Sequence, residues 1–287
     1  MNPWQRDWPA PAKLNLFLHV VGRRADGYHL LQTVFRFLDC GDSLRFVPRD
    51  DDCITRATAL ANVPAENDLT VRAARRLQQA AGVRRGVEIR LDKRLPLGGG
   101  LGGGSSDAAT VLLALNQLWD LRLSSPELQA LGLELGADVP IFIHGRAAFA
   151  EGIGERFVDV CLPPAWYLVL VPPVAVPTAE IFAAADLRRD TPAIRADEWQ
   201  AGMGGNDLEP VACRLYPAVA QHLAWLQQFG TARMSGSGAC VFAEFASAAA
   251  AHAAHAVLPE GMHGFVARGL DRHPLLEPFP PTGAGHG

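Results

Sequence analysis

The sequence lacks the features that mark secreted, membrane-spanning and nucleic-acid-binding proteins. Its five cysteines are an odd number without a CxxC pair, so neither a disulfide framework nor a zinc site is expected. The net charge of -4 provides no basic surface for nucleic acid, and no apolar run reaches the roughly 18 residues of a membrane span. No charged leader precedes an apolar core at the N-terminus. We therefore expect a cytoplasmic protein that binds neither nucleic acid nor a membrane.

The pattern of apolar residues predicts a chain that mixes helices and strands. Its 287 residues, 49% of them hydrophobic, suffice for two domains. Strands are predicted at 13–21, 30–38, 42–48, 86–91, 167–171 and 264–270. Helices are predicted at 67–82, 106–119, 124–136, 178–186 and 246–258, with a long helical region at 206–230 that is kinked or split near Pro217. The segment 139–152 is predicted to be extended, with a glycine turn.

A proline pair marks the best candidate for a domain boundary. It lies in CLPPAW, residues 161–166, and interrupts both kinds of regular structure. We expect an N-terminal domain at 1–161 and a C-terminal domain at 162–272, which makes the fold class α/β or α+β in two domains. The segment 273–287 is rich in proline and glycine and is expected to be a disordered tail.

The stretch LPLGGGLGGGSSDAAT, residues 95–110, has six glycines in seven positions. Each glycine costs backbone entropy on folding, so their number calls for a reason. Glycines ahead of a helix let backbone N–H groups converge on an anion, to which the helix N-terminus adds partial positive charge. Ser105 and Ser106 add hydroxyls that could reach phosphate oxygens or a magnesium ion. A flexible linker would not lie between a strand and a helix, so we predict a phosphate loop.

Two common phosphate loops match this stretch poorly. The Walker loop needs a lysine before its final serine or threonine, and here Ser105 follows Gly104 directly. The dinucleotide fingerprint matches at Gly98, Gly100 and Gly103, with Asp120 about 20 residues further on. However, six glycines match many spacings by chance, and Asp120 is predicted to end a helix rather than a second strand. The dinucleotide interpretation is therefore weak.

Three stretches, in order, resemble the motifs of the GHMP kinases. They are PAKLNLFLHVVGRRADGYHLLQTVF at 11–35, the glycine stretch, and MSGSGACVFAEF at 234–245. The similarity runs from about residue 11 to 270. It implies a two-domain fold, with an N-terminal α/β domain that binds ATP and a ferredoxin-like C-terminal domain. The combination of PAKLNLFL with DGYH is similar to the branch that phosphorylates the 2-hydroxyl of 4-diphosphocytidyl-2-C-methyl-D-erythritol, in the non-mevalonate route to isoprenoids.

The resemblance implies a catalytic pair, Lys13 and Asp138. Asp138 would be the base that accepts the hydroxyl proton, and Lys13 would stabilise the developing charge beside it. From the residues alone, Asp138 in GADVP could equally be a helix cap or turn former. Lys13 could be a solvated lysine at the start of a strand.

The resemblance also assigns residues to the two substrates. Those implied for ATP are Lys93, Pro96, Leu97, Gly98, Gly99, Gly100, Leu101, Gly102, Gly103, Gly104, Ser105 and Ser106, with Lys93, and less securely Asn67, near the purine. Those implied for the cytidine compound are Asn15 at the sugar alcohol, Tyr28 and His29 at the cytidine, Phe182 stacked on the base, and Thr178 nearby. On sequence alone, Tyr28 and His29 could be ordinary turn residues and Phe182 a core residue.

Two other functions remain open at this point. One is a GHMP kinase that acts on homoserine, mevalonate or a sugar, and the other is a nucleotide sensor without catalysis. The glycines of SGSG at 235–238 could approach ligand phosphates or the first glycine loop, or could form a tight hairpin. The cofactors implied are ATP and Mg²⁺, without an assigned protein ligand for the metal, and the protein is expected to be a monomer or a homodimer.

Overall fold

The computed structural model describes residues 2–57, 64 and 66–276. Strands and helices alternate along most of the chain. The strands are β1 Trp8–Arg23, β2 His29–Arg49, β3 Ile54–Arg56, β4 Gly86–Asp92, β5 Ala148–Glu151, β6 Arg156–Asp159, β7 Trp166–Leu170, β8 Ala232–Met234, β9 Val241–Phe245 and β10 Gly264–Leu270. The helices are α1 Leu69–Ala81, α2 Gly103–Leu118, α3 Ser125–Leu135, α4 Val139–His144, α5 Thr178–Ala183, α6 Glu209–Leu215, α7 Pro217–Leu226 and α8 Ala248–Ala256.

One sheet runs through both halves of the chain. Its main order is β3-β4-β2-β10-β7-β9-β8, and β1 and β5 also pair with β2. The link between the halves is β10, which pairs antiparallel with β2 on one side and with β7 on the other. The predicted boundary at 161–166 ends where β7 begins. The strands on its two sides nevertheless belong to one hydrogen-bonded sheet.

The second half has the ferredoxin-like order of elements. Its strands and helices follow one another as β7, then α5 to α7, then β8, β9, α8 and β10. In the sheet the strands lie in the order β10-β7-β9-β8, with antiparallel neighbours. This is the split β-α-β motif that the resemblance implies for the C-terminal domain.

Three apolar clusters support the site. The first packs α1, α2, α3 and α4 against β1, β2 and β4. The second packs α6, α7 and α8 against the sheet of the second half. The third contains Phe17 and Phe149 from the first half together with Tyr167 and Phe242 from the second, all nearly inaccessible to solvent. Because this cluster spans the predicted boundary, packing fixes the two halves against each other.

Some boundaries of the elements confirm the sequence predictions. Gly82 ends α1 in the left-handed conformation, with φ 64°, as a C-terminal glycine does. The predicted helical region at 206–230 contains two helices, α6 and α7, which meet at Tyr216 and Pro217. None of the helices within the described residues has both the length and the hydropathy needed to cross a membrane.

Other predictions of local structure were wrong. Residues 139–144 form α4 rather than extended chain, with Pro140 in its first turn, where a proline costs no hydrogen bond. A short apolar run cannot be assigned to helix or strand by its periodicity. The two extended regions predicted at 30–38 and 42–48 are one strand, β2. In the predicted tail, His273 is fully buried and residues 274–276 form a 3₁₀ turn, while residues 277–287 lie outside the described residues.

Candidate active site

A cleft of about 470 Å³ brings most of the predicted site residues together. The residues that line it and that the sequence singled out are Lys13, Asn15, the loop from Pro96 to Ser105, Asp138, Thr178, Phe182 and residues 236–238. Both halves of the chain contribute to it. The first half provides β1, the loop before α2 and the residue before α4, and the second half provides α5 and the β8–β9 turn. Lys93, Ser106 and Asn67 do not belong to this lining.

Lys13 lies inside β1 rather than at its start, because the strand begins at Trp8. The register of β1 against β2 shifts between Pro11 and Lys13, and again between Asn15 and Leu18. Such β-bulges re-aim side chains and are frequent beside active sites. The side chain of Lys13 is only 2% exposed. It is therefore not the solvated strand-end lysine that the sequence left open.

The Lys13 ammonium contacts three oxygen atoms. Its Nζ lies 3.1 Å from Asp138 Oδ2, and it donates to Asn15 Oδ1 at 2.5 Å and to Gly100 O at 3.1 Å. Two of these contacts are hydrogen bonds, and the contact with Asp138 is an ion pair. Asp138 stands at the N-cap position of α4, but its side chain makes no capping hydrogen bond. Its carboxylate, 37% exposed, therefore faces a cation and the cleft rather than serving as a helix cap.

The glycine loop is shaped by contacts within the protein. Gly98, Gly100 and Gly102 have φ of 67°, 73° and 71°, in the region that disfavours side chains. A Cβ on Gly100 would lie 2.0 Å from Ser235 O, and one on Gly102 would lie 3.0 Å from Lys13 Cε. The close approaches that require glycine here are thus to the second glycine loop and to Lys13.

The same loop leaves its backbone donors free. Among the described residues, none accepts a hydrogen bond from the backbone N–H groups of residues 98–105. Helix α2 begins at Gly103, two residues before Ser105, so Gly103 and Gly104 form part of its first turn. Free N–H groups combined with a helix N-terminus make a binding site for an anion. The geometry supports the predicted phosphate loop. Asp120 lies just beyond the C-terminal end of α2, paired with Arg122, and not at a second strand, which removes the dinucleotide alternative.

Lys93 is held behind the glycine loop. Its Nζ lies 2.6 Å from Asp42 Oδ2 and 2.7 Å from Asp107 Oδ2, and a Cβ on Gly103 would lie 3.0 Å from Nζ. Both carboxylates are nearly inaccessible to solvent. The Lys93 side chain therefore supports the start of α2 and does not line the cleft, while its predicted contact with the purine stays a prediction.

This buried group places two carboxylates, Asp42 and Asp107, around the single ammonium of Lys93. Burial raises the pKa of Asp107 to about 7, although the Lys93 ammonium opposes the rise. For Lys93, burial disfavours the ammonium, but Asp107 and Asp42 outweigh it and raise the pKa. Asp42 also accepts hydrogen bonds from the backbone N–H groups of Arg94 and Leu95, at 2.6 and 2.8 Å. We infer that Asp107 carries a proton that is lost near neutral pH.

A second cavity, of about 570 Å³, adjoins the cleft and contains the residues predicted to bind cytidine. Tyr28, His29, Thr178 and Phe182 line it, and Thr178 and Phe182 also line the cleft. The ring of His29 stacks on that of Phe182 with centroids 4.8 Å apart. A base cannot enter between rings at this distance, so it would stack on an outer face of the pair. Tyr28 is 61% exposed.

The second glycine loop joins the two halves at the cleft. Ser235 Oγ donates to Gly100 O at 3.0 Å and accepts from Asn15 N–H at 3.2 Å. Asn206 Nδ2 donates to Met234 O and Gly236 O, both at 2.8 Å. Residues 235–238 thus form the turn between β8 and β9 and also contact the first glycine loop. The hairpin and the approach to the first loop, both predicted for SGSG, therefore occur together.

Several supporting residues were missed from the sequence, among them Thr33, Asp42, Asp107 and Asn206. Nothing in their local sequence sets them apart, because each acts on a partner that is distant along the chain. The lysine content of the sequence is a signal that points to this site. Of the 26 basic residues only two are lysines, Lys13 and Lys93, and both lie at the glycine loop. A compact ammonium with three donors fits these crowded positions, which the larger guanidinium fork would not.

Comparison with known proteins assigns the family. Residues 68–146 match the GHMP kinases N terminal domain, and residues 184–264 match the GHMP kinases C terminal. The 4-diphosphocytidyl-2-C-methyl-D-erythritol kinase of Dechloromonas aromatica is 64% identical over 94% of this chain and 99% of its own length. The protein of the same name from Thiobacillus denitrificans is 63% identical over 95% of this chain and 98% of its own length.

Solved structures agree with this assignment. A crystal structure of 4-(cytidine 5'-diphospho)-2C-methyl-D-erythritol kinase has a TM-score of 0.79 at 35% identity, covering 92% of this chain and 99% of that one. A homoserine kinase from Cytophaga hutchinsonii has a TM-score of 0.65 at 18% identity, covering 92% of this chain and 93% of that one. The latter similarity supports the fold alone. With near-complete coverage at more than 60% identity, the chain belongs to the 4-diphosphocytidyl-2-C-methyl-D-erythritol kinase family of the GHMP kinases.

Proposed function

We propose that this protein transfers the γ-phosphoryl group of ATP to the 2-hydroxyl of 4-diphosphocytidyl-2-C-methyl-D-erythritol, in the non-mevalonate route to isoprenoids. The observation that carries the chemical part is the contact of Lys13 Nζ with Asp138 Oδ2, at 3.1 Å, beside a loop with free backbone N–H groups. The family assignment supports the choice of substrate. Kinases for homoserine and mevalonate share the fold below 20% identity, which gives no support to their substrates.

Phosphoryl transfer requires positioning and charge stabilisation more than covalent help from the protein. The free N–H groups of residues 98–105 would hold the phosphates of ATP, with the N-terminus of α2 behind them. Asp138 would accept the proton of the substrate hydroxyl. Lys13 would stabilise negative charge on the attacking oxygen and the transferred group.

The two cavities support a placement for the two ends of the cytidine compound. Asn15 lines the cleft beside Lys13 and would face the methylerythritol hydroxyls. The adjoining cavity around Tyr28, His29 and Phe182 would hold the cytosine ring on an aromatic face. Because the two cavities share Thr178 and Phe182, one extended molecule could span both.

Magnesium fits the start of α2. Ser105 lines the cleft, and the buried atoms Ser106 Oγ and Asp107 Oδ1 have no hydrogen-bond partner among the described residues. Hydroxyl and carboxylate oxygens are ligands that Mg²⁺ prefers, and the metal commonly relies on substrate phosphates for the rest of its shell. We propose that Ser105, which lines the cleft, holds the ion together with the triphosphate, where it would neutralise phosphate charge.

The test is ADP release with ATP, magnesium and one acceptor at a time. The acceptors are the cytidine diphosphate compound, mevalonate, homoserine and galactose. We expect turnover with the cytidine compound only, and a loss of at least a hundredfold in kcat for Asp138→Asn, because removal of a general base typically costs that much or more. Asp197→Asn is the matched control, since Asp197 is also paired with a cation, Arg195, but is exposed and outside the cleft.

Each contrary result changes a different part of the proposal. Turnover with another acceptor would keep the phosphate loop and the base but would reject the substrate. Tight ATP binding without ADP formation from any acceptor would indicate a nucleotide sensor. Full activity of Asp138→Asn would reject Asp138 as the base.

A further inference from the structure

Arg189 joins two residues of the cytidine cavity that lie far apart in the chain. Its Nε donates to His29 Nε2 at 3.1 Å. Its Nη1 donates to Leu187 O at 2.9 Å, and its Nη2 donates to Phe182 O at 2.9 Å and to Ala184 O at 2.8 Å. A guanidinium with four acceptors around it has little freedom to move. One side chain therefore holds both the ring of His29, at the start of β2, and the backbone of Phe182, at the end of α5.

The contact decides which nitrogen of His29 carries a proton. A guanidinium can only donate, so Nε2 of His29 must accept and the ring proton must be on Nδ1. Burial lowers the pKa of His29, and the nearby cations Arg189 and Arg23 lower it further. The ring is thus a neutral imidazole with one donor, Nδ1–H, left for a ligand. Asp26 and Tyr28 are the other ionisable groups that line this cavity.

The same side chain supports the stacking surface. Phe182 lies at the C-terminal end of α5, a helix of six residues whose last carbonyls have no partner within the helix. Arg189 supplies donors to the carbonyls of Phe182 and Ala184, which satisfies this end and fixes where the Phe182 ring stands against His29. The neighbouring Arg188 makes no such contacts, since it is exposed and pairs with Asp190 at 3.4 Å.

We propose that Arg189 is a positioning residue for the pyrimidine end of the substrate, and this inference rests on the proposed function. It holds His29 as the Nδ1–H tautomer, stacked on Phe182, so that the cavity offers a fixed donor to an acceptor atom of the base. The ring nitrogen N3 of cytosine is an acceptor, whereas N3 of uracil carries a proton. A donor held at this edge favours cytosine over uracil, because the wrong base leaves buried polar groups unpaired.

The first experiment measures binding of cytidine 5'-diphosphate, uridine 5'-diphosphate and ATP to the whole protein by calorimetry. For Arg189→Met we expect about tenfold weaker binding of the cytidine nucleotide, as for the loss of one hydrogen bond, a smaller loss for the uridine nucleotide through the Phe182 stacking surface, and unchanged binding of ATP. Arg189→Lys should behave similarly, because one ammonium cannot span the same four acceptors. Arg188→Met is the matched control and should bind all three as the wild type does.

Two further measurements separate positioning from a general structural role. Nitrogen-15 NMR of the histidine rings should show His29 as the Nδ1–H tautomer in the wild type and as a mixture in Arg189→Met. In a double-mutant cycle, Arg189→Met should have a clearly smaller effect on cytidine nucleotide binding once His29 is replaced by alanine, with the remainder due to its contacts at Phe182. Should Arg189→Met fail to fold, Arg189→Lys and the wild-type NMR spectrum decide the question.

The results distinguish this inference from the function on which it rests. If the wild type neither binds the cytidine nucleotide nor turns over the cytidine compound, the proposed function fails and the inference with it. If the wild type binds the nucleotide but Arg189→Met binds it equally well, only the inference is overturned. A wild-type His29 protonated on Nε2, or an equal loss of ATP binding in Arg189→Met, would also overturn it.

Discussion

Asn15 Nδ2 donates to Thr33 Oγ1 at 3.0 Å, and this contact orients the amide that binds Lys13. Thr33 Oγ1 donates its own proton to the backbone oxygen of Phe17, so toward Asn15 it can only accept. The amide nitrogen is thereby turned to Thr33 and the amide oxygen to Lys13 Nζ, 2.5 Å away. A buried hydroxyl outside the predicted site therefore fixes the surroundings of Lys13.

Thr33→Val should lower kcat without a comparable change in KM for ATP. Valine has the same shape but no hydroxyl, so Asn15 loses the acceptor that orients its amide, and the Lys13 ammonium becomes less well placed. The loss of one hydrogen bond of about 1–1.5 kcal/mol corresponds to roughly a tenfold fall in kcat. Steady-state kinetics would measure it. Thr33→Ser keeps the hydroxyl and should restore most of the rate, and equal defects in the two variants would mean that packing, not the hydrogen bond, matters.

Gly100→Ala should impair both activity and stability. Its φ of 73° disfavours a side chain, and the added Cβ would lie 2.0 Å from Ser235 O, so the two glycine loops would have to move apart. We expect a loss of about 1–3 kcal/mol in the free energy of unfolding, measured with urea, and a large fall in kcat. Gly205→Ala is the control, because a Cβ there meets nothing within 4 Å. Equal effects at both positions would contradict the close approach.

Lys93→Met should destabilise the protein strongly. The substitution leaves Asp42 and Asp107 buried without a cation, and breaking a buried ion pair in this way typically costs about 3–5 kcal/mol. Urea unfolding at neutral pH would measure the loss. Arg94→Met is the control, since the exposed pair of Arg94 with Asp92 should contribute at most about 1 kcal/mol. A near-neutral Lys93→Met would show that the two carboxylates do not depend on Lys93.

Asp107→Asn should remove a loss of stability that the wild type shows as pH rises. The pKa of Asp107 is about 7 in the folded protein, above its ordinary value of 3.8, so folding favours the protonated form. The contribution of Asp107 to the free energy of unfolding is fully present below about pH 4. It falls by at most about 1.4 kcal/mol per pH unit as pH rises toward 7. Between pH 6 and pH 8, the free energy of unfolding should fall in the wild type and should change less in Asp107→Asn. Parallel pH curves for the two proteins would refute this.

His273 should make the protein less stable in mild acid. Burial lowers the pKa of His273 to about 3, so the folded protein holds a neutral imidazole between Phe37 and Phe142. Its contribution is present above the ordinary histidine pKa of about 6.5 and falls as pH drops below that value, by about 1.4 kcal/mol per unit.

The variant His273→Asn isolates this effect. Asparagine can still accept from the backbone N–H of Leu275, as His273 Nδ1 does at 3.1 Å, but it does not titrate. Urea unfolding at pH 7.5 and pH 5 should show a smaller difference between the two pH values for the variant than for the wild type. His252→Asn, at an exposed position on α8, should keep the wild-type difference. A variant with the full wild-type difference would mean that other groups cause it.

Local sequence predicted the elements whose signals are complete within a few residues. The end of α1 followed from Gly82, the break between α6 and α7 from Pro217, and the loop before α2 from its run of glycines. Motif resemblance added the pair Lys13 and Asp138, which the structure places 3.1 Å apart. These inferences need no knowledge of distant contacts, because backbone preferences and short motifs carry them.

The tertiary structure decided what depends on residues distant in the chain. The helix at 139–144 could not be told from a strand, because its apolar run is too short to show a period. Lys93 lies beneath the loop because Asp42, 51 residues away in the chain, accepts a hydrogen bond from its ammonium inside the protein. Arg189 reaches His29 across 160 residues for the same reason. Buried polar groups must find partners wherever the fold brings them, so the sequence determined the chemistry of the loop and the tertiary structure decided which side chains hold it.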